Sequence, residues 1–221
     1  MRGSRMFKQV GLLALAIGLT AAGATAEVLG KTTAALDARE AREAECSLGN
    51  LVADAARSAV GAEVALVQAS QLRAQVIPAG DVTRDALVGA LLYPDERVVL
   101  VQISGAQLAA ALERSLSMLP KPSTSFLQVS GLTATFRSSE PADGRVVEAR
   151  VGATPLTAGK TYKVAMPASL AKGALGYFRI FNELEPQQGP SIGDAAADYV
   201  LAMRTLSPQT GRLRDLSRPA K

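Results

Sequence analysis

Apolar and polar positions change period several times along the chain, and each change marks an element. Residues 27–45 are alanine-rich with alternating charges at Asp37, Arg39, Glu40, Arg42, Glu43 and Glu45, a pattern for a strand or lead-in followed by solvated turns. From Ser47 the apolar residues Leu48, Leu51, Val52, Ala55, Ala56 and Val60 recur at spacings of three and four, which predicts a helix with one buried face, ended by Gly61. Val64–Val67 reads as a buried strand that runs into a loop at residues 68–73. Pro78-Ala79-Gly80-Asp81 predicts a turn, and Thr83 a cap for a short helix reaching Leu91. The valine-rich run Arg97–Ile103 predicts a strand, and Ser104 with Gln107 forms a capping box opening a helix to about Leu116. Residues 126–129, 132–137, 145–151 and 161–165 are short β-type runs separated by Gly131, Asp143-Gly144 and Ala158-Gly159, read together as a sheet of hairpins. Ser191 and Asp194 open a last helix carrying Ala195, Tyr199, Val200 and Met203. The class is α+β, a compact mixed α/β domain of layered sheets and helices.

The first residues follow a different logic. Arg2, Arg5 and Lys8 precede an apolar run from Val10 to Ala22, and Ala24-Thr25-Ala26 supplies the small residues a signal peptidase accepts. Residues 1–26 are expected to be a signal peptide, leaving 27–221 as a single exported domain, periplasmic or secreted. The run falls short of the roughly 20 residues that span a bilayer, so no membrane attachment is expected after cleavage. No cysteine directly follows it, which argues against a lipid anchor.

Composition narrows the chemistry. The formal charge of +4 falls close to neutral once Arg2, Arg5 and Lys8 are removed, and aromatics make up only 4% of the chain, so no nucleic-acid surface is expected. Arg212, Arg214, Arg218 and Lys221 make residues 205–221 read as a solvated, flexible tail. Cys46 is the sole cysteine, so no internal disulfide is available, and its place at a helix start suits a small buried hydrophobe better than a nucleophile. The chain has no histidine. Without it, and without clustered thiols or a D-x-D-x-D-G run, no metal site is expected, and Asp95-Glu96 reads as a solvated turn. A serine nucleophile would lack its usual base, and neither G-x-S-x-G nor S-x-x-K occurs. No catalytic residue is expected.

A series of words in chain order carries a resemblance. It begins with Arg42-Glu43-Ala44-Glu45-Cys46-Ser47-Leu48-Gly49-Asn50-Leu51, continues through Leu66–Ala74 and Pro78-Ala79-Gly80-Asp81, and then Ser104-Gly105-Ala106-Gln107-Leu108. Phe126–Leu132, Thr161–Val164 and Lys172–Tyr177 complete it. In order and spacing, over about residues 42–202, this resembles the C-terminal domain of the 5'-nucleotidase family. The resemblance implies a domain that grips the nucleoside end of a substrate. Divalent metals and the catalytic histidine and aspartate belong, in that family, to a separate N-terminal metallophosphoesterase domain, so this chain is expected to hold no cofactor.

Carried over residue by residue, Arg42 and Arg73 correspond to substrate-facing arginines, and Gln68 to the family's asparagine. Ser70-Gln71 stands where the family has a glycine pair. Pro94 and Ser169 hold the positions of the two phenylalanines that clamp the base, and Leu175 that of a loop aspartate. Tyr93 and Tyr177 are left as rings that stack a base, and equally as core or rim residues. The substrate-binding set is therefore Arg42, Gln68, Arg73, Tyr93 and Tyr177. Two functions stay open: binding a nucleotide or related small anionic ligand beside a separately encoded metallophosphoesterase in nucleotide catabolism, or an exported interaction or structural module that has lost nucleotide binding.

Overall fold

The computed structural model describes residues 26–218; the expected signal peptide lies outside the described residues, apart from its last position. In chain order come β1 (Val28–Thr32), β2 (Leu36–Asp37), α1 (Ser47–Ala59), β3 (Val64–Gln68), β4 (Val76–Ile77), β5 (Gly80–Thr83), α2 (Arg84–Gly89) and β6 (Arg97–Ser104). There follow α3 (Gly105–Leu116), β7 (Leu127–Ser130), β8 (Leu132–Phe136), β9 (Val146–Val151), β10 (Thr154–Pro155) and β11 (Thr161–Pro167). The last elements are α4 (Ala168–Ala171), β12 (Gln187–Ser191), α5 (Ile192–Met203), β13 (Thr205–Leu206) and β14 (Leu213–Asp215).

A five-stranded mixed sheet of order β12-β6-β11-β3-β7 divides the interior in two. Its central strands are apolar on both faces because both are covered, the pattern of a sheet buried between layers. In β3, Ala65 and Val67 join the cluster built with α1 and α5, whereas Val64 and Leu66 join the one built with α3, β8 and α4. The long β6–β11 ladder is antiparallel, from Thr161 opposite Ser104 to Pro167 opposite Val98, and β11 runs parallel to β3.

Helix ends follow local chemistry. The Sγ of Cys46 accepts from the Gly49 N–H at 3.3 Å and so caps α1, while Gly61, with φ of +62°, turns the chain out of it. α2 is capped by Thr83, α3 by the reciprocal Ser104–Gln107 box, and α5 by Ser191.

Two expectations change. The β-type runs after residue 126 do not form one sheet of hairpins. β7 pairs with β3 and β11 with β6 and β3 in the five-stranded sheet, while β8 and β9 form a hairpin in a second sheet of order β10-β9-β8-β14. The switch occurs at Gly131, whose φ of +69° and close approach to the Glu63 carbonyl leave no room for a Cβ, which would sit 2.0 Å from that oxygen. The C-terminal segment is also not a free tail within the described residues. β13 pairs parallel with β1, β14 pairs parallel with β8, and Arg212 between them is tied to the body of the domain. Arginines read as solvated because their charge is visible in sequence and their partners are not.

Candidate functional site

The end of β3 and the turn after it form a frame held by backbone hydrogen bonds. Ala69 and Ser70 donate their N–H groups to the carbonyls of Phe126 (2.8 Å) and Thr124 (3.1 Å). On the other side Leu92 donates to Gln71 (2.8 Å) and Arg73 to Ala90 (2.9 Å). The Arg42 carbonyl accepts from Ser123 at 2.8 Å, one residue before Thr124. Arg42 and Arg73 are thus anchored to the same frame through their backbones, and both side chains are exposed. The Nε of Arg73 donates to the Leu91 carbonyl at 3.2 Å, which orients the guanidinium and leaves its two terminal nitrogens outside that bond.

Behind this frame lies a polar network. Gln68 and Gln71 are 1% and 0% exposed. The Nε2 of Gln68 donates to the Ser169 Oγ at 3.0 Å, the Nε2 of Gln71 donates to the Glu96 carboxylate, and the other oxygen of Glu96 accepts from the Ser169 N–H at 2.7 Å. The Oε1 atoms of both glutamines are buried and, among the described residues, have no donor. Glu96 is therefore the hub of the network, not part of a solvated turn. The sequence signals that pointed here were Ser169 at a position expected to be aromatic and Gln71 within a departure from a glycine pair; Glu96 was marked only as part of a solvated turn.

The two tyrosines separate. Tyr93 is 58% exposed on the turn leading to Glu96, whose N–H donates to the Tyr93 carbonyl at 3.1 Å. Tyr177 is 0% exposed, stacks on Phe181 with centroids 5.6 Å apart, and donates its hydroxyl to the Ser125 carbonyl at 2.7 Å. Burial pushes its phenol well above the ordinary tyrosine range, with the Arg114 charge only partly opposing the shift. Tyr177 is a core residue, and its ring is not open to a ligand. Phe178, its neighbour, is 60% exposed and went unnoticed in the sequence. Of the five expected binding residues, three (Arg42, Arg73 and Tyr93) are open to solvent, while Gln68 and Tyr177 are consumed by internal bonds.

The model of the 5'-nucleotidase C-terminal domain matches residues 22–183. The chain belongs to that family. A 5'-nucleotidase-related protein of Glossina morsitans morsitans is 32% identical over 84% of this chain, and an apyrase of Anopheles gambiae is 30% identical over 82%. The chain spans only 38% and 33% of the lengths of those relatives. Among solved structures, the 5'-nucleotidase precursor of Thermus thermophilus superposes with a TM-score of 0.80 at 28% identity, covering 87% of this chain and 40% of that one. A Haemophilus influenzae NAD nucleotidase shares the fold at 17% identity with a TM-score of 0.73, covering 86% of this chain and 38% of that one. The family match shows that the ordered words of the sequence did mark this domain. Among the described residues no helix is long and apolar enough to cross a membrane.

Proposed function

We propose that this chain is an exported ligand-binding domain that serves nucleotide hydrolysis beside a separately encoded metallophosphoesterase, holding the anionic part of a nucleotide or related compound with Arg42 and Arg73. The observation that carries the reading is the arginine pair: two exposed side chains whose backbones join the same hydrogen-bonded frame, Arg42 through Ser123 and Arg73 through Ala90. Guanidiniums bind phosphate and carboxylate through forked, charge-assisted hydrogen bonds, and exposed ones do so in a salt-dependent manner. In this reading the partner supplies the metal ions and the catalytic groups. Calorimetric titration with AMP, adenosine and inorganic phosphate tests the ligand. AMP and phosphate should bind and adenosine should not, and Arg42→Ala or Arg73→Ala should weaken AMP roughly tenfold, the loss of one charge-assisted contact. Absence of binding by all three removes the reading. Addition of the purified metallophosphoesterase, followed by phosphate release from AMP, tests the partnership separately.

A second reading, that of an exported interaction or structural module without a nucleotide ligand, is favoured by the polar network. Gln68, Gln71, Glu96 and Ser169 bond to one another at the positions where the resemblance expects an open base pocket. If this reading holds, AMP binding is absent in the native chain, and a pull-down from the native envelope recovers a protein partner.

A further inference from the structure

Two exposed turns meet at the end of α3. The turn after that helix, residues 117–121, projects Met118 at 46% exposure, and the turn after α4 projects Phe178 at 60%. Arg114 joins them: its Nη1 donates to the Ser117 Oγ at 3.0 Å and its Nη2 to the Leu175 carbonyl at 2.6 Å. Gly173 and Leu175 hold left-handed φ of +83° and +57°, and a Cβ on Gly173 would lie 2.3 Å from the Phe178 Cα, so the backbone carrying Phe178 is closely seated while its ring projects. The Arg179 guanidinium lies over that ring, 5.7 Å from its centroid. Charge here is one-sided. Residues 114–139 and 167–182 contain no Asp or Glu. Glu113 is taken up by the N–H groups of Arg145 and Val146, and Glu183 follows the buried Phe181. Lys121, Lys172 and Arg179 are exposed and form no ion pair among the described residues, whereas Lys31, Arg39, Arg150 and Lys160 elsewhere on the surface each meet a carboxylate.

These features select a partner. A stable protein interface covers about 800 Å² on each side, more than two side chains at turn tips supply. A bilayer surface conforms to projecting apolar side chains, and an anionic one attracts the unpaired cations around them. We propose that the turns bearing Met118 and Phe178 rest reversibly on an anionic bilayer surface, with the Phe178 ring in the headgroup layer and Lys121, Lys172 and Arg179 against the lipid phosphates. The contact needs no spanning segment and is separate from the expected signal peptide, so it departs from the expectation that the processed chain leaves the membrane. It rests on neither Arg42 nor Arg73 and is independent of the proposed nucleotide role.

Residues 27–221 hold every described strand and helix, and are the chain to test, with a cooperative thermal transition as the check of folding. The probes are vesicles of phosphatidylglycerol and phosphatidylcholine in equal parts, and vesicles of phosphatidylcholine alone. Cosedimentation should occur with the anionic vesicles only and should weaken as salt is raised from about 0.05 M to about 0.5 M. Phe178→Ser should weaken it about tenfold, the loss of one ring from the interface. Lys121→Gln, Lys172→Gln and Arg179→Gln should each weaken it about fivefold. The chain has no tryptophan, so Phe178→Trp places a single reporter at the contact, whose emission should shift to the blue on anionic vesicles alone. The proposal is overturned if neither vesicle binds, if both bind alike, if Phe178→Ser leaves binding unchanged, or if the tryptophan emission does not move. Polyglutamate bound as tightly as the anionic vesicles, with Phe178→Ser silent, would also overturn it and assign the cations to an acidic partner protein.

Discussion

Arg212 offers a direct test of how the C-terminal segment is held. Its guanidinium donates to the Val129 carbonyl of β7 at 2.7 Å and to the Asp54 carboxylate of α1 at 2.7 Å, so one side chain ties the approach to β14 to both a strand and a helix. The paired side chains are 25% and 20% exposed, which places the ion pair between two limits. Exposed pairs contribute about 0–1 kcal/mol, whereas breaking a fully buried one costs about 3–5 kcal/mol. Discounting for partial solvent screening gives about 1–2 kcal/mol for the pair. The charge-assisted bond to Val129, which leaves a strand carbonyl unpaired when lost, adds about 1–2 kcal/mol. Arg212→Ala is therefore expected to destabilise the domain by about 2–4 kcal/mol, and for a chain of this size to lower Tm by roughly 5–15 °C. Urea unfolding of Arg212→Ala, Asp54→Ala and the double variant separates the terms, with a coupling energy of about 1–2 kcal/mol expected between the two positions. A loss below about 0.5 kcal/mol, the scatter of an ordinary surface substitution, or amides of β14 that exchange as fast as an unfolded peptide, would refute the argument and return the segment to the solvated tail that its charge suggested.

Three further outcomes follow from single residues. Tyr177→Phe removes the hydroxyl that satisfies the buried Ser125 carbonyl and should cost about 1–2 kcal/mol in urea unfolding, with no change in the affinity of any ligand held by Arg42 and Arg73. Burial pushes the Cys46 thiol from 9.0 up to about 12, so the fold favours the protonated form; its contribution is complete below the lower value and is lost as pH rises through that window. Cys46→Ser keeps a capping atom for Gly49 and should flatten the decline of unfolding free energy across the same window, whereas an unchanged slope would contradict the assignment. Gly131→Ala meets the Glu63 carbonyl at the point where the chain changes sheets and should cost at least about 2 kcal/mol, read from its denaturation midpoint.

What the sequence disclosed was mostly local. The capping box at Ser104 and Gln107, the Ser191 cap, and the stripe from Leu48 to Ala56 are contacts among near neighbours, so their chemistry can be read from spacing. Strand partnership could not be read this way. Whether β7 pairs with β8 or crosses to β3 depends on side chains far apart in the chain, and only the left-handed Gly131 hinted at a break. The site divides along the same line. Arg42 and Arg73 are exposed, and Pro94 and Ser169 stand at the positions where the resemblance leads one to expect aromatic rings. That Glu96 would turn inward to join Gln71 and Ser169 was not visible, because an acidic residue beside Pro94 and Asp95 has the composition of a turn.

The Glu96 network bears on which functional reading survives. Filling a disused pocket is most stabilising when apolar groups of matching shape do it, since a buried polar group gains little net free energy even when paired. Here the filling is polar and incomplete: two glutamine carbonyl oxygens have no donor among the described residues, each at a cost of about 1–3 kcal/mol. Both oxygens belong to side chains that are 1% and 0% exposed, so no incoming donor reaches them in this arrangement, and the network closes the space where the resemblance expects a nucleobase. The network therefore weakens the nucleobase part of the expected site without erasing a polar ligand. Arg42 and Arg73 remain exposed, so an anionic group can meet them without disturbing the buried glutamines, which is why the arginine reading stands or falls on AMP and phosphate and not on adenosine.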